Sequence, residues 1–201
     1  MTDLNSEKAL AKKQKEHGYN IEIAIYGAEI LESNTWKYMQ SVTHHGNMPR
    51  TEHCIDVART ALRLADTFHL KVDKIRIVRA GLLHDAFRYD WKKPEERHFL
   101  HAFLHGNIAK KEVCEKFYLY FKERNSIVSH MFPVAFGFPL SLEAWLITIS
   151  DKICAVREYK KACNSKSFIS AFIKTRFLNQ CKHSEPLKLE QSQSTESEKG
   201  L

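Results

Sequence analysis

An all-α bundle of six or seven helices is the fold class this sequence predicts, and three observations predict it. Glycine and proline are scarce, 7 and 5 in 201 residues, which disfavours a turn-rich β architecture. Apolar residues recur at three- and four-residue spacing through most of the chain, the period of a helix with one buried face. No segment shows a two-residue alternation of comparable strength.

The elements follow in order. Residues 1–18 are polar and lysine-rich, a frayed helix or loose N-terminal extension. Residues 20–41 carry Ile23, Tyr26, Ala28, Ile30 and Leu31 at near-helical spacing. From 52 to 68, Ile55, Ala58, Leu62, Ala65 and Phe68 mark an amphipathic face. The stretch 75–87 is apolar apart from Arg76 and Arg79 until it meets His84 and Asp85, as a central buried helix would be. Residues 107–124 supply Ile108, Val113, Phe117, Tyr120 and Phe121. Ser141, after Pro139, reads as the N-cap of a helix running through Trp145, Ile149, Ile153 and Val156. A last helix is expected over 168–178. The folded domain is expected over 19–182, and 183–201 hold too few large apolar groups to offset the entropy of ordering.

Composition narrows the function classes. At 43% hydrophobic and 11% aromatic, the chain can build a core and is not broadly disordered. No run approaches the roughly 18–20 apolar residues of a membrane span, and the charged opening "MTDLNSEKALAKKQKEH" does not read as an export signal. The five cysteines form no CxxC pair, so they read as reduced thiols in a cytoplasmic protein rather than as a zinc finger. A net charge of +7 suits anionic partners such as phosphates or nucleic acid, although a mildly basic enzyme has the same balance.

Chemistry concentrates at the helix ends. His53 falls in the first turn of the 52–68 helix, and His84 and Asp85 close the central one. His105 opens the next helix, and His130 follows a further helical segment. Asp151 lies inside the most apolar helix, with Ala144, Ile147, Cys154 and Ala155 as near neighbours. A carboxylate there needs a cation or several donors. Imidazoles with carboxylates and no thiolate are a ligand set suited to first-row metals. The bland alternatives are a packed loop histidine for His130 and a helix-start histidine bonded to backbone for His105.

This arrangement resembles the HD-domain metal-dependent phosphohydrolases, whose signature is a histidine, a His-Asp pair and a distant aspartate on a helical bundle. Here those are His53, His84, Asp85 and Asp151, within "RTEHCIDVA", "AGLLHD" and "ISDKICAVREY", and the likeness spans roughly residues 34–165. Members with two metals insert two histidines before the last aspartate, as His105 and His130 stand here. The resemblance implies two divalent ions (Fe, Mn or Co, with Mg or Zn as options). Asp85 would bridge them, His53, His84 and Asp151 would hold one, and His105 and His130 would complete the other. Arg50, Arg88 and Lys152 are then the candidate phosphate-binding cations, with Arg88 or Lys152 stabilising the oxyanion. A solvated helix face or an intrahelical pair is the plainer reading of Arg50. The polar loop containing Asp90, Trp91, Glu95 and Glu96 would form a rim.

The expected substrate is a small phosphorylated molecule, a nucleotide or dinucleoside polyphosphate. Ala86 and Phe87 follow the doublet where alarmone hydrolases carry Glu-Asp, and the Gly-Tyr-Pro motif of the cyclic-di-GMP group is missing. Two other readings stand beside this one: a diiron oxygenase on the same fold, and a non-catalytic helical module binding nucleic acid. No aromatic-interleaved basic stripe supports the last.

Overall fold

The computed structural model describes residues 4–42, 49–87 and 101–163, with backbone alone at 4, 101–105 and 162–163. The chain divides into one unit of Met1–Lys160 and a second of Lys161–Leu201, and the bundle below is the first. The described residues form eight helices and no strand. They are α1 (Leu4–Tyr26), α2 (Ala28–Leu31), α3 (Asn34–Ser41), α4 (Arg50–Thr67), α5 (Lys74–Leu83), α6 (His101–Cys114), α7 (Phe121–Ser129) and α8 (Leu142–Cys163). None is long and apolar enough to cross a membrane. The all-α expectation holds, and the helix and tail expected over 168–178 and 183–201 lie outside the described residues.

Two expected helices are broken, each for a local reason. The continuous helix read over 20–41 is three. A Cβ at Gly27 would come within 2.7 Å of the Ile23 carbonyl oxygen, so the chain turns there at a residue that lacks one. Ser33 then caps α3, its Oγ accepting the Trp36 amide at 3.2 Å. The helix read over 107–124 ends at Cys114 and restarts at Phe121. Between them Phe117 and Leu119 are buried while Tyr118 and Tyr120 are exposed, the alternation of extended chain rather than helix. The Tyr120 amide donates to the Glu123 carboxylate at 2.6 Å and starts α7.

The core lies between α4 and α5. Val57, Ala58, Ala61 and Leu62 face Ile77, Val78 and Leu82, all fully buried, each large side chain contributing about 1.5–3 kcal/mol. The two helices approach closely at Gly81, where a Cβ would sit 2.8 Å from the Ala58 Cβ. Asp73 caps α5, accepting the Ile75 and Arg76 amides. α1 runs unbroken past residue 18 and packs on α4 through Tyr19 and Ile23. Glu16 grips Arg63 with two bonds of 2.8 and 2.7 Å.

Ser141 caps α8 as its sequence suggested, accepting the Ala144 amide at 3.2 Å. The inward face of α8 is Ala144, Ile147 and Cys154, whereas Trp145, Ile149 and Val156, through which the helix was traced in the sequence, point outward. Thr148 and Lys152 donate to the Ser129 and His130 carbonyls, and Arg157 reaches Thr60. α8 is thereby tied to α4 and to the end of α7. The start of α4, the end of α5 and the end of α7 meet its middle.

Candidate metal centre

Each of these ends presents a titratable side chain to one spot. His53, in the first turn of α4, is fully buried. His84 is the C-cap of α5 and His130 the C-cap of α7, both buried, and Asp85 follows His84. Asp151 comes from the middle of α8, its side chain 13% exposed. The His53 and His84 rings are 5.4 Å apart, and the His84 and His130 rings 4.9 Å. His53 Nε2 lies 3.2 Å from Asp151 Oδ1, and His84 Nε2 lies 3.9 Å from the same oxygen. Asp85 sits between two imidazoles, Oδ2 3.8 Å from His84 Nε2 and Oδ1 3.5 Å from His130 Nε2.

The outer ring nitrogens explain why the inner ones converge. His84 Nδ1 donates to the Gly81 carbonyl at 2.8 Å, and His130 Nδ1 to the Ile127 carbonyl at 2.7 Å. A carbonyl only accepts, so each Nδ1 carries the proton and the neutral ring keeps its lone pair on Nε2. His53 Nδ1 faces Glu158 Oε1 at 2.7 Å. All three rings are thus anchored from behind and turned inward by Nε2, the tautomer in which imidazole ligates a metal.

Electrostatics give the fit test. His84 Nε2 is buried and has no hydrogen-bond partner among the described residues, a lone pair removed from water with nothing there to accept. Burial lowers the His84 imidazole from its ordinary range, more than Asp85 raises it, so that lone pair stays bare. Burial would also lower His53, but its bonds to Asp151 and Glu158 outweigh this and hold it well above the ordinary value. Burial likewise opposes charge on His130, and the neighbouring Asp85 overrides it. Burial would raise Asp151, yet the His53 bond and the surrounding imidazoles hold it below the usual carboxylate range. The carboxylates that favour charge on His53 and His130, Asp151 and Asp85, are the same ones that could ligate a metal. His53, His84 and Asp151, with ligand atoms all within 4.8 Å of one another, can hold a metal ion.

The other sequence candidates fall differently. Arg50, expected to face a phosphate, is fully enclosed. Its Nη1 donates to the Phe87 carbonyl at 2.6 Å and its guanidinium lies 3.9 Å over the Phe87 ring. It clasps the turn just past the His84–Asp85 doublet, because a buried guanidinium needs an acceptor and a π face where no water reaches. Lys152 is half-buried and gives two protons to the His130 and Thr148 carbonyls, at 2.8 and 3.4 Å. Burial lowers its ammonium from the usual range. His105 lies in the second turn of α6 rather than at its start, and its side chain lies outside the described residues. So do Arg88, Asp90, Trp91, Glu95 and Glu96. Glu158 was not singled out in the sequence, although its spacing of seven from Asp151, two turns along one helix face, is the signal that would have found it.

The match to the HD domain covers residues 50–156, more than half of the chain, from Arg50 of α4 to Val156 of α8. The chain belongs to the HD-domain family. HD domains form a superfamily of metal-dependent hydrolases that bind divalent ions, and the matched span carries His53, His84, Asp85, His130 and Asp151 together. No curated protein and no solved structure matches the chain.

Proposed function

We propose that this HD domain is a cytoplasmic, metal-dependent phosphohydrolase that cleaves a phosphoester or phosphoanhydride of a nucleotide or dinucleoside polyphosphate. One observation carries the reading: three buried imidazoles, each anchored through Nδ1, turn Nε2 toward two carboxylates, and the His84 Nε2 among them has no hydrogen-bond partner among the described residues. His53, His84 and Asp151 would hold one ion. Asp85, with one oxygen toward His84 and the other toward His130, would be shared with a second ion that His130 and His105 complete. Iron, manganese or cobalt suits this nitrogen and oxygen set best. When bound, such ions supply Lewis-acid polarisation of phosphoryl oxygens and acidify water.

The chain's own residues do the positioning. The Gly81 and Ile127 carbonyls and Glu158 hold the three rings in one tautomer, so the centre is organised before substrate arrives. Arg50 fixes the turn that carries Asp85. Lys152 has spent two of its three protons on carbonyls and keeps one to offer a substrate oxygen. Arg88, next after Phe87 in the chain, is the second phosphate-facing cation in this reading, and a fork-shaped donor suits a phosphoryl group.

The test is metal content by mass spectrometry with phosphate or nucleotide release across nucleotides and dinucleoside polyphosphates. Mn²⁺, Fe²⁺ and Co²⁺ are compared with chelator, and Asp85→Ala runs alongside. Turnover that needs metal and disappears in Asp85→Ala is expected. Turnover indifferent to chelator, or retained in the variant, would overturn the assignment. Bound iron with an oxygen-sensitive spectrum and no turnover would move it to the oxygenase.

A further inference from the structure

α8 carries exposed apolar residues on the side opposite the one that faces the metal centre. Two residues along a helix turn it by about 200°, so Asp151 and Glu158, which serve the metal centre, lie across the helix from Ile149 and Val156. The outward side carries Leu142, Trp145, Ile149 and Val156, 37 to 53% exposed, with half-buried Ile153 between them. Exposed large apolar residues gathered on one side of a helix mark an interaction surface.

The stripe continues onto the connection before α8. The rings of Phe132, Phe138 and Trp145 meet edge to face, with centroids 5.2 to 5.7 Å apart. Phe136 projects fully into solvent, and Leu140 and Phe138 are exposed beside it. Stripe and connection together expose on the order of 800 Å² of apolar surface, above the largest patch of an ordinary monomer and matching one side of a standard interface.

The spacing identifies the occupant. Positions 142, 145, 149, 153 and 156 are separated by 3, 4, 4 and 3 residues, a series that reads the same in both directions. Laid antiparallel on a second copy of itself, such a stripe sets Leu142 against Val156, Trp145 against Ile153 and Ile149 against its own equivalent, as a two-fold contact requires. Charge agrees. Lys160 at the far end of α8 would meet the uncharged 136–140 connection of the other copy, whereas a parallel pairing would set the two Lys160 ammonium groups against each other.

We propose that the outer face of α8 is the contact surface of a homodimer, two copies packing antiparallel about a two-fold axis at Ile149. The reading does not depend on the chemistry of the metal centre.

The test is sedimentation velocity on the metal-loaded 201-residue chain from 1 to 100 µM, together with Ile149→Glu and Ile149→Lys. The wild type is expected to be a dimer at the upper concentrations. Each variant alone is expected to be a monomer with unchanged circular dichroism and metal content, because like charges then meet at the axis. An equimolar mixture of the two is expected to restore the dimer, since only at a two-fold axis does residue 149 face itself. A wild type that stays monomeric throughout overturns the proposal. So does a dimer that persists in Ile149→Glu, which would use another surface, or a mixture that stays monomeric.

Discussion

Replacing Glu158 tests whether the centre is held from behind or merely filled with ligands. Its Oε1 accepts from His53 Nδ1 at 2.7 Å in a buried setting, a charge-assisted bond worth about 1.5–3 kcal/mol. Glu158→Ala leaves the imidazole free to rotate and takes away the acceptor that keeps its proton on Nδ1. Loss of such a partner behind a ligating histidine weakens metal binding roughly 10- to 100-fold, or about 1.4–2.7 kcal/mol, which agrees with the bond's own worth. Glu158→Gln keeps a neutral acceptor and is expected to bind metal within a few-fold of wild type. The assay is calorimetric titration of the chelator-stripped protein with Mn²⁺ or Co²⁺, with thermal unfolding of each metal-free variant as the control for folding. A Glu158→Ala protein that folds and binds metal as tightly as wild type would refute the reasoning, because His53 would then need no anchor. Equal losses in the alanine and glutamine variants would show that charge, rather than the accepted hydrogen bond, is what matters.

Three further outcomes follow from the same structure. Arg50→Ala removes the donor to the Phe87 carbonyl and the cation over its ring, and chemical denaturation is expected to show a loss of about 2–4 kcal/mol together with reduced metal content. Arg50→Lys should recover little of this, since an ammonium cannot lie flat on the ring. Gly81→Ala places a Cβ 2.8 Å from that of Ala58 at the α4–α5 crossing, a clash expected to cost about 1–3 kcal/mol, and an unchanged denaturation midpoint would mean that the helices can separate freely. Glu143 gives stability an acid limb. Burial would raise its carboxyl, but the Lys122 ammonium, with help from the Asp73 amide, holds it below its ordinary 4.5. A carboxyl lowered on folding stabilises the protein above its unfolded value and loses that contribution as pH falls through the lower folded one. The stability gap between wild type and Glu143→Gln should therefore be full near pH 7 and shrink below about pH 4.5; a gap independent of pH would count against the pairing.

How much of this was legible beforehand differs by element. The helices holding Ala58–Ala65 and Ile77–Leu83 could be read, the first from its periodicity and the second from its apolar run, because those residues form the core. In α8 the same signal found the helix but not its orientation: Trp145, Ile149 and Val156 share a face that points outward, and periodicity does not say what a face meets. The breaks at Gly27 and Ser33 passed unseen because each is one residue's local geometry within a continuous apolar pattern. His53, His84, Asp85, His130 and Asp151 were readable as candidate ligands from the resemblance and because burying such groups is costly without a partner. Their orientation was not. It rests on the Gly81 and Ile127 carbonyls, which are no residue's signature, and on Glu158, 105 residues away from the histidine it holds. Arg50 shows the same divide. Its charge and position suggested a phosphate, while folding enclosed it against Phe87, 37 residues on. The chain's own order specifies which groups are too polar to be buried alone; which atoms answer them depends on contacts between distant segments, and those exist only once α4, α5, α7 and α8 have packed.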